Sequence, residues 1–434
     1  MRYAKYKPTN IPWLPEVPET WEVRPFKSLY SFGKGLPITK ENLTEKGVPV
    51  VSYGQIHSKN NVGIELKDEL LRFVSPQYLE TNPQSLLSFG DMAIADTSED
   101  QEGCGNAVLC NRKENIFAGY HTIIARIKQP ENAKYLAYVF MCKNWRSQIQ
   151  CLVHGVKLFS ITKQILSSAK FPLPPLAEQK RIVAYLDEKC AKIDTLVTAK
   201  TKQIELFKEL RQSIIAEAVT KGIDGCKTFK PTNIPWLPEV PQTWEVKKMK
   251  YHFYERSEKG HPDEAPLCST QAYGVIPQSM YENRIVIVDA KNLAQLKLVK
   301  KGDFVISLRA FQGGIEIAHY QGIISAAYTI LELRDKANSN YFRWLFKSRP
   351  FIGLLKTCVT GIREGQNINY PLLSQKSLPL PPLAEQKRIV AYLDKKCAKI
   401  DTLLAKIEDE VIKLKEYRER LVADVVTGQR KVVK

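Results

Sequence analysis

Two stretches of the chain repeat apolar residues at three- and four-residue steps, the period of one face of an α-helix. In the first, the stripe is Ile193, Val197, Ile204, Phe207, Leu210, Ile214 and Ala218. In the second it is Ile400, Leu404, Ile407, Val411, Leu414, Tyr417, Leu421 and Val425. Each stripe runs about four heptads, which predicts two helices packed on each other as a coiled coil. Pro174-Pro175 ends the strand before the first helix, and Glu178 puts an acid in its first turn. Gly222 and Gly428 stand where helix C-termini favour glycine. At ~30 residues each helix would be ~45 Å long.

Outside these stripes the apolar runs shorten. Val48–Tyr53, Ala93–Ala95, Ile123–Ile127, Ile285–Val288, Phe304–Leu308 and Ile323–Ile330 read as strands between turns rich in Gly, Asn and Pro. Two apolar segments, Lys134–Cys151 and Asn340–Cys358, each predict one helix over a sheet. The class is therefore α+β: two tandem globular α/β blocks joined by two long helices.

Self-similarity sets the order of these parts. Residues 7–23, KPTNIPWLPEVPETWEV, recur at 230–246 with Glu19 replaced by Gln242. Residues 172–196, PLPPLAEQKRIVAYLDEKCAKIDTL, recur at 379–403 with Glu188 replaced by Lys395. Between the repeated strings, 24–171 and 247–378 share only echoes: Gly90-Asp91 with Gly302-Asp303, Tyr135-Leu136-Ala137-Tyr138 with Tyr341-Phe342-Arg343-Trp344, and Gly155-Val156-Lys157 with Gly361-Ile362-Arg363. The divisions read from this are a first globular domain at 1–171, a first helix at 172–222, a second domain at 223–378 and a second helix at 379–434. Matching frames around unlike middles imply one fold used for two different tasks; if the two helices run antiparallel, the copies are related by a pseudo-two-fold.

Charge adds a partner. Sixty-four Lys and Arg against 46 Asp and Glu give +18, spread as +4 over 1–169, +3 over 170–222, +6 over 223–375 and +5 over 376–434. No basic tail carries the excess, so a polyanion would lie along the whole body, and nucleic acid is the natural candidate. The nine cysteines contain no C-x-x-C pair, which fits reduced thiols of a cytosolic protein better than a disulfide frame. No apolar run reaches the ~18 residues of a membrane span, and the N-terminal string has no signal-peptide core.

Catalytic motifs are missing. There is no G-x-x-x-x-G-K-[ST] loop. Asn10-Ile11-Pro12-Trp13 and Asn233-Ile234-Pro235-Trp236 imitate an adenine-methyltransferase loop but lack its second proline and any glycine-rich cofactor loop. Pro262-Asp263 with Asp289-Ala290-Lys291 imitates a nuclease metal site, a loose pattern common by chance. The six histidines have no ligand spacing. Neither catalytic nor metal-binding residues are expected.

The string P-L-P-P-L-A-E-Q-K-R-I-V at 172–183 and 379–390, each copy closing a variable block and opening a long helix, resembles the specificity subunits of type I restriction–modification systems over essentially the whole chain. The resemblance implies that the variable blocks are target recognition domains and the helices an antiparallel spacer. It also implies partners: double-stranded DNA, two modification subunits that methylate adenine from S-adenosylmethionine, and restriction subunits that use ATP and Mg²⁺. No cofactor is expected in this chain, which would work in the cytoplasm of a bacterial or archaeal cell. The competing classes are a stand-alone DNA nuclease or methyltransferase and a coiled-coil scaffold that binds only proteins.

Two unlike readers on one spacer would recognise an asymmetric, bipartite DNA site. Each needs side chains on loops that can pair with base edges or phosphates. In the first block the candidates are Ser52, Tyr53, Gln55, His57, Lys59 and Asn60 on one loop, Ser98 and Glu99 on a second, and Lys157. In the second block they are Thr270, Gln271 and Tyr273, then Arg309 and Gln312, then Arg363, Gln366 and Asn367. The stripe residues Phe207, Leu210, Leu414 and Tyr417 exceed what two helices can enclose, so helices from partner subunits should complete a bundle.

Overall fold

Each Leu-Ala-Glu-Gln-Lys string opens a long helix. The computed structural model describes residues 2–59, 61–155, 157–225, 228–281, 290–335, 339–360 and 367–432. In it the first long helix runs Leu176–Lys221 and the second Leu383–Val426. At 46 and 44 residues they exceed the ~30 expected, and at ~1.5 Å per residue they measure ~69 and ~66 Å. The excess lies at their N-terminal ends, where the repeated string is itself helical and packs on its own globular block. Gln179 and Gln386 fix those starts, their Nε2 donating to Pro174 O (2.8 Å) and Pro381 O (2.7 Å).

Contacts divide the chain into two units, Met1–Ala199 with Glu410–Lys434, and Lys200–Asp409, so each long helix is shared. In the first unit Ile182, Leu186, Cys190 and Ile193 of one helix join Leu421, Val422, Val425 and Val426 of the other in one core. Arg418 Nε meets Asp194 Oδ1 at 2.9 Å, and the two segments run antiparallel. In the second unit Ile389, Leu393 and Cys397 meet Ile215, Ala218 and Val219, with Arg211 Nε 2.8 Å from Asp401 Oδ1. Every partner in the second set lies 207 positions from its equivalent in the first.

The first unit begins with the hairpin Tyr6–Ile11/Leu14–Pro18. Strand Glu22–Pro25 then pairs with Lys170–Leu173, returning the end of the variable block to its beginning. Between them lies a four-stranded antiparallel sheet in the order Tyr30–Lys34, Thr122–Ile127, Met92–Ala95, Ala107–Leu109. A five-stranded sheet, in which Ile116–Ala118 runs parallel to Val48–Val51, carries the outer loops. The second unit repeats the plan: hairpin Phe229–Ile234/Leu237–Pro241, closing pair Glu245–Lys248/Ser377–Leu380, and a sheet ordered Phe253–Arg256, Thr329–Leu333, Phe304–Ile306, Glu316–Ile317. Its outer part is two separate pairs, Leu267–Thr270/Gly274–Pro277 and Lys297–Val299/Gly322–Ile324.

Buried tyrosines tie blocks to helix ends. Tyr135 Oη lies 3.0 Å from Pro172 O and 3.4 Å from Val426 O. Tyr341 Oη lies 3.2 Å from Pro379 O and 3.1 Å from Val219 O. The second helix then stops at Gly428 (φ 75°), whose missing Cβ would sit 2.4 Å from Pro18 Cδ. Only glycine combines that backbone with so close an approach.

Several predicted elements differ. Each helix expected over a sheet is two: Ala133–Met141 and Lys143–Gln150, and Ser339–Leu345 and Arg349–Lys356. Cys142 is extended at the first break; at the second, Ser348 Oγ accepts from Phe351 N and Pro350 follows. Ile323–Ile330 is split by a turn at Ser325–Tyr328 because its halves pair in different sheets. Tyr53 opens a helical turn instead of ending a strand. Ile285–Val288 lies outside the described residues.

Along the long helices Ile193, Ile204, Ile400, Leu404, Ile407, Val411 and Leu421 are buried, and Val197, Phe207, Ile214 and Leu414 half-buried. At the first helix's C-terminal end Ile215, Ala218 and Val219 are buried in the second unit's core, and Ile214 packs against it half-buried. Leu210 and Tyr417, equivalent positions, are exposed, as are Leu196 and Leu403. No described helix is long and apolar enough to cross a membrane.

Candidate nucleic-acid interface

In the first unit the turn Tyr53–Ile56 follows Val48–Val51, the central strand of the five-stranded sheet, and Thr97–Ser98 follows Met92–Ala95 of the four-stranded sheet. Ser52 caps the turn Tyr53–Ile56 in a capping box, Gln55 Oε1 accepting from Ser52 N at 3.2 Å. His57 is held at both nitrogens: Nε2 donates to Thr97 O (2.9 Å) and Nδ1 accepts from Asn106 Nδ2 (3.1 Å). Asn106 Oδ1 in turn accepts from Arg146 Nη1, which reaches up from the helix Lys143–Gln150. Desolvation pulls the Arg146 guanidinium below its ordinary pKa. Strand Thr97–Ser98 pairs with Phe159–Ser160, so the segment carrying Lys157 adjoins the Glu99 loop.

These elements enclose a cavity of about 610 Å³ lined by Tyr53, His57, Ser98, Glu99, Asn106 and Arg146, with Asp100 and Glu102 on the same rim. Four expected residues, Tyr53, His57, Ser98 and Glu99, are thereby brought together. Glu99, Lys59 and Lys157 face solvent. Ser52 and Ser98 are buried, Ser52 beneath Gly119, where a Cβ would stand 2.0 Å from its Oγ. Gln55 and His57 are half-buried and bonded within the loops. Asn60 lies outside the described residues.

In the second unit the turn Gln271-Ala272-Tyr273 tips the hairpin Leu267–Thr270/Gly274–Pro277. Thr270 is buried within it, its Oγ1 donating to Gly274 O and accepting from Tyr273 N, both at 3.0 Å. Tyr273 projects, 64% exposed. Beside it the helical turn Ala310–Gly313 presents Gln312, and Arg309 stands exposed at its N-cap. A cavity of about 440 Å³ joins Gln271, Tyr273 and Gln312 to Glu316, Arg343, Trp344 and Lys347. Arg309 does not line it. Burial pushes the Glu316 carboxyl up to about 7 against the pull of Lys347. Asn367 is exposed on the short strand Asn367–Ile368, while Arg363 and Gln366 lie outside the described residues.

The Gly-Asp element is structural. Asp91 is buried, accepting from Ser88 N, Ile127 N and Arg126 Nη1 at 2.9, 3.1 and 3.0 Å. Asp303 likewise accepts from Lys300 N and Arg256 Nε at 2.8 and 3.0 Å. Burial raises both carboxyls despite these donors. Of the nuclease-like pattern, Asp263 is exposed and Asp289 is outside the described residues. Among the described residues no three His, Cys, Asp or Glu cluster as metal ligands.

Sequence reasoning missed Asn106, Arg146, Glu316 and Lys347. Ser348-Arg349-Pro350, a helix-start signal, marks the junction where Lys347 sits. Glu316 between Ile315 and Ile317 reads as a solvent-facing strand position, yet it is 3% exposed.

The family model described as "Type I restriction modification DNA specificity domain" matches twice, at residues 18–206 and 241–413. Among its relatives, the putative type I restriction enzyme MjaX specificity subunit of Methanocaldococcus jannaschii is 25% identical over 96% of this chain and 95% of its own length. The MjaVIII specificity subunit of the same organism is 26% identical over 69% of this chain and 70% of its own. A chain from a solved type I R-M system, studied for complex assembly and conformational transition, superposes with a TM-score of 0.66 at 16% identity, covering 94% of this chain and 98% of that one.

Proposed function

From the premise that this chain belongs to the type I restriction–modification DNA specificity family, we propose that each of its two units reads one half of a split, asymmetric DNA site. The chain is the DNA sequence-recognition subunit and is not itself an enzyme; catalysis falls to other subunits of the complex. What supports two separate readers is one four-strand order and one set of helix anchors carrying two unlike sets of loops.

In this reading Tyr53, Glu99, Lys59 and Lys157 contact DNA from the first unit, and Gln271, Tyr273, Arg309, Gln312 and Asn367 from the second. Asn60, Arg363 and Gln366 join them on sequence grounds. Lysines and arginines answer phosphate or guanine, and amides answer adenine. The exposed apolar positions Leu196, Leu403, Leu210 and Tyr417 receive helices of two modification subunits. S-adenosylmethionine would be bound there, ATP and Mg²⁺ by restriction subunits, and the complex would act on cytoplasmic DNA.

Replacing residues 24–171 with the first block of another family member tests the reading. The methylated site should change in one half only. A simultaneous change in both halves would refute independent readers.

A further inference from the structure

Lys347 occupies the junction between the helices Ser339–Leu345 and Arg349–Lys356 of the second unit. Its side chain is 24% exposed, and its ammonium meets three acceptors on two stretches of chain, at 271 and at 313–316. Its Nζ lies 3.1 Å from Gly313 O at the end of one loop and 3.4 Å from Gln271 O at the start of the other. It also donates to the buried Glu316 carboxylate on the strand that follows the first loop. An ammonium has three N–H groups, so this arrangement can use all of them.

The two loops also touch directly. A Cβ on Gly313 would come within 2.4 Å of Gln271 Cδ and 2.6 Å of its Nε2, so the glutamine side chain fills the space beside Gly313. At Gly314 (φ 92°) a Cβ would meet Phe346 O at 2.2 Å, which seats the same loop against the residue preceding Lys347. The projecting side chains Tyr273 and Gln312 therefore stand on loops whose backbones share one cation.

We propose that Lys347 is a positioning residue for sequence discrimination by the second unit: it fixes the Gln271–Tyr273 and Ala310–Gly313 loops in one relative register without itself touching DNA. The proposal rests on the reading that these loops face bases. Base discrimination depends on hydrogen-bond geometry held to a fraction of an ångström. Phosphate attraction does not, so loosening the loops should blur sequence preference more than it weakens overall binding.

The test uses the full chain assembled with its modification subunits, methylating a pool of random-sequence duplexes whose modified positions are read by sequencing. The block exchange described above identifies which half-site belongs to the second unit. Lys347→Met alone strands a buried carboxylate and can unfold the unit, so the informative variant is Lys347→Met/Glu316→Gln, which removes both charges with little change in volume. It should accept additional bases in the second unit's half-site, with discrimination falling about tenfold or more. The other half-site should stay as in the wild type, and Lys347→Arg should retain most of the discrimination.

Unchanged preference in the double variant would overturn the proposal, as would equal blurring of both halves, which marks general loosening. Lys347→Arg behaving like the double variant would count against it too. If the wild-type assembly shows no preferred site in the pool, the reading of the loops fails, and this proposal falls with it.

Discussion

The repeat offers a measurement that carries its own control. Tyr135 and Tyr341 are buried, and each hydroxyl lies between a carbonyl at the end of its block and a carbonyl at the end of a long helix. A phenol has one proton, so it donates to one carbonyl at a time. Replacing tyrosine with phenylalanine keeps the ring packing and leaves both carbonyls without it. The lost hydrogen bond and the stranded acceptor together should cost about 1–3 kcal/mol in each unit. Burial holds both phenols well above their ordinary pKa, so they remain protonated and the cost should not vary through the neutral range.

Two units sharing helices need not unfold in one step, so a single melting temperature is a poor readout. Hydrogen exchange read on peptides covering 421–428 and 215–222 measures the helix ends directly. Tyr135→Phe should speed exchange in the first peptide and spare the second; Tyr341→Phe should do the reverse. The Val219 contact is shorter than the Val426 contact, 3.1 against 3.4 Å, so Tyr341→Phe should show the larger effect on its helix end. Losses below about 0.5 kcal/mol in both variants would refute the anchoring argument. So would a loss in the unit that does not contain the substitution.

Three further outcomes follow from exposure and charge. Lys157→Ala, at a solvent-facing position, should leave stability unchanged and reduce the slope of log affinity against log salt by about one if it meets a phosphate, measured by fluorescence anisotropy; an unchanged slope removes that contact. Leu210→Asp with Tyr417→Asp should abolish co-purification of modification subunits while leaving the circular-dichroism spectrum intact, and persistent co-purification would contradict the docking role of these exposed residues. The Glu316 carboxyl has its pKa raised in the fold from 4.5 to about 7. Its contribution is therefore present below about pH 4.5 and lost as pH rises through about 7, so wild type should lose up to about 3 kcal/mol relative to Glu316→Gln over that window; a flat difference in denaturant titrations would show that Lys347 compensates fully.

The sequence reveals what repeats and hides what pairs at a distance. Near-identical strings expose the tandem frame, and three- and four-residue periodicity exposes the long helices, because both signals are local. The length of those helices is less legible, since residues 176–192 face a globular block and carry no coiled-coil stripe. The helix break at Ser348 has a local signal, a serine cap with proline after it, whereas nothing comparable marks Cys142. The Gly-Asp element is visible as punctuation, but its arginine comes from Thr122–Ile127 in one unit and from Phe253–Arg256 in the other. Thr122–Ile127 lies beside the strand that follows Asp91, while Phe253–Arg256 lies one strand removed from the strand that follows Asp303, an order that the linear pattern does not contain. For the same reason Ser52, Ser98 and Thr270 look like free loop hydroxyls and are buried instead.

The faint echo between the variable blocks has a physical basis in the helices. Tyr138 Oη donates to Asp187 Oδ1 at 2.7 Å, and Trp344 Nε1 donates to Asp394 Oδ1 at 3.0 Å. Asp187 and Asp394 are the same residue of the repeated string, 207 positions apart. Tyrosine and tryptophan differ in shape and polarity, yet each places one donor on that carboxylate. The first residue of each echo is the tyrosine that serves the helix-end carbonyls. The blocks are therefore held to matching donors at these two points of the frame. Loop residues answer to local bonds such as the Gln55 cap or the Thr270 turn, which can be rebuilt within a few residues. A frame so anchored lets the loops change their side chains without disturbing the helices that the two blocks share.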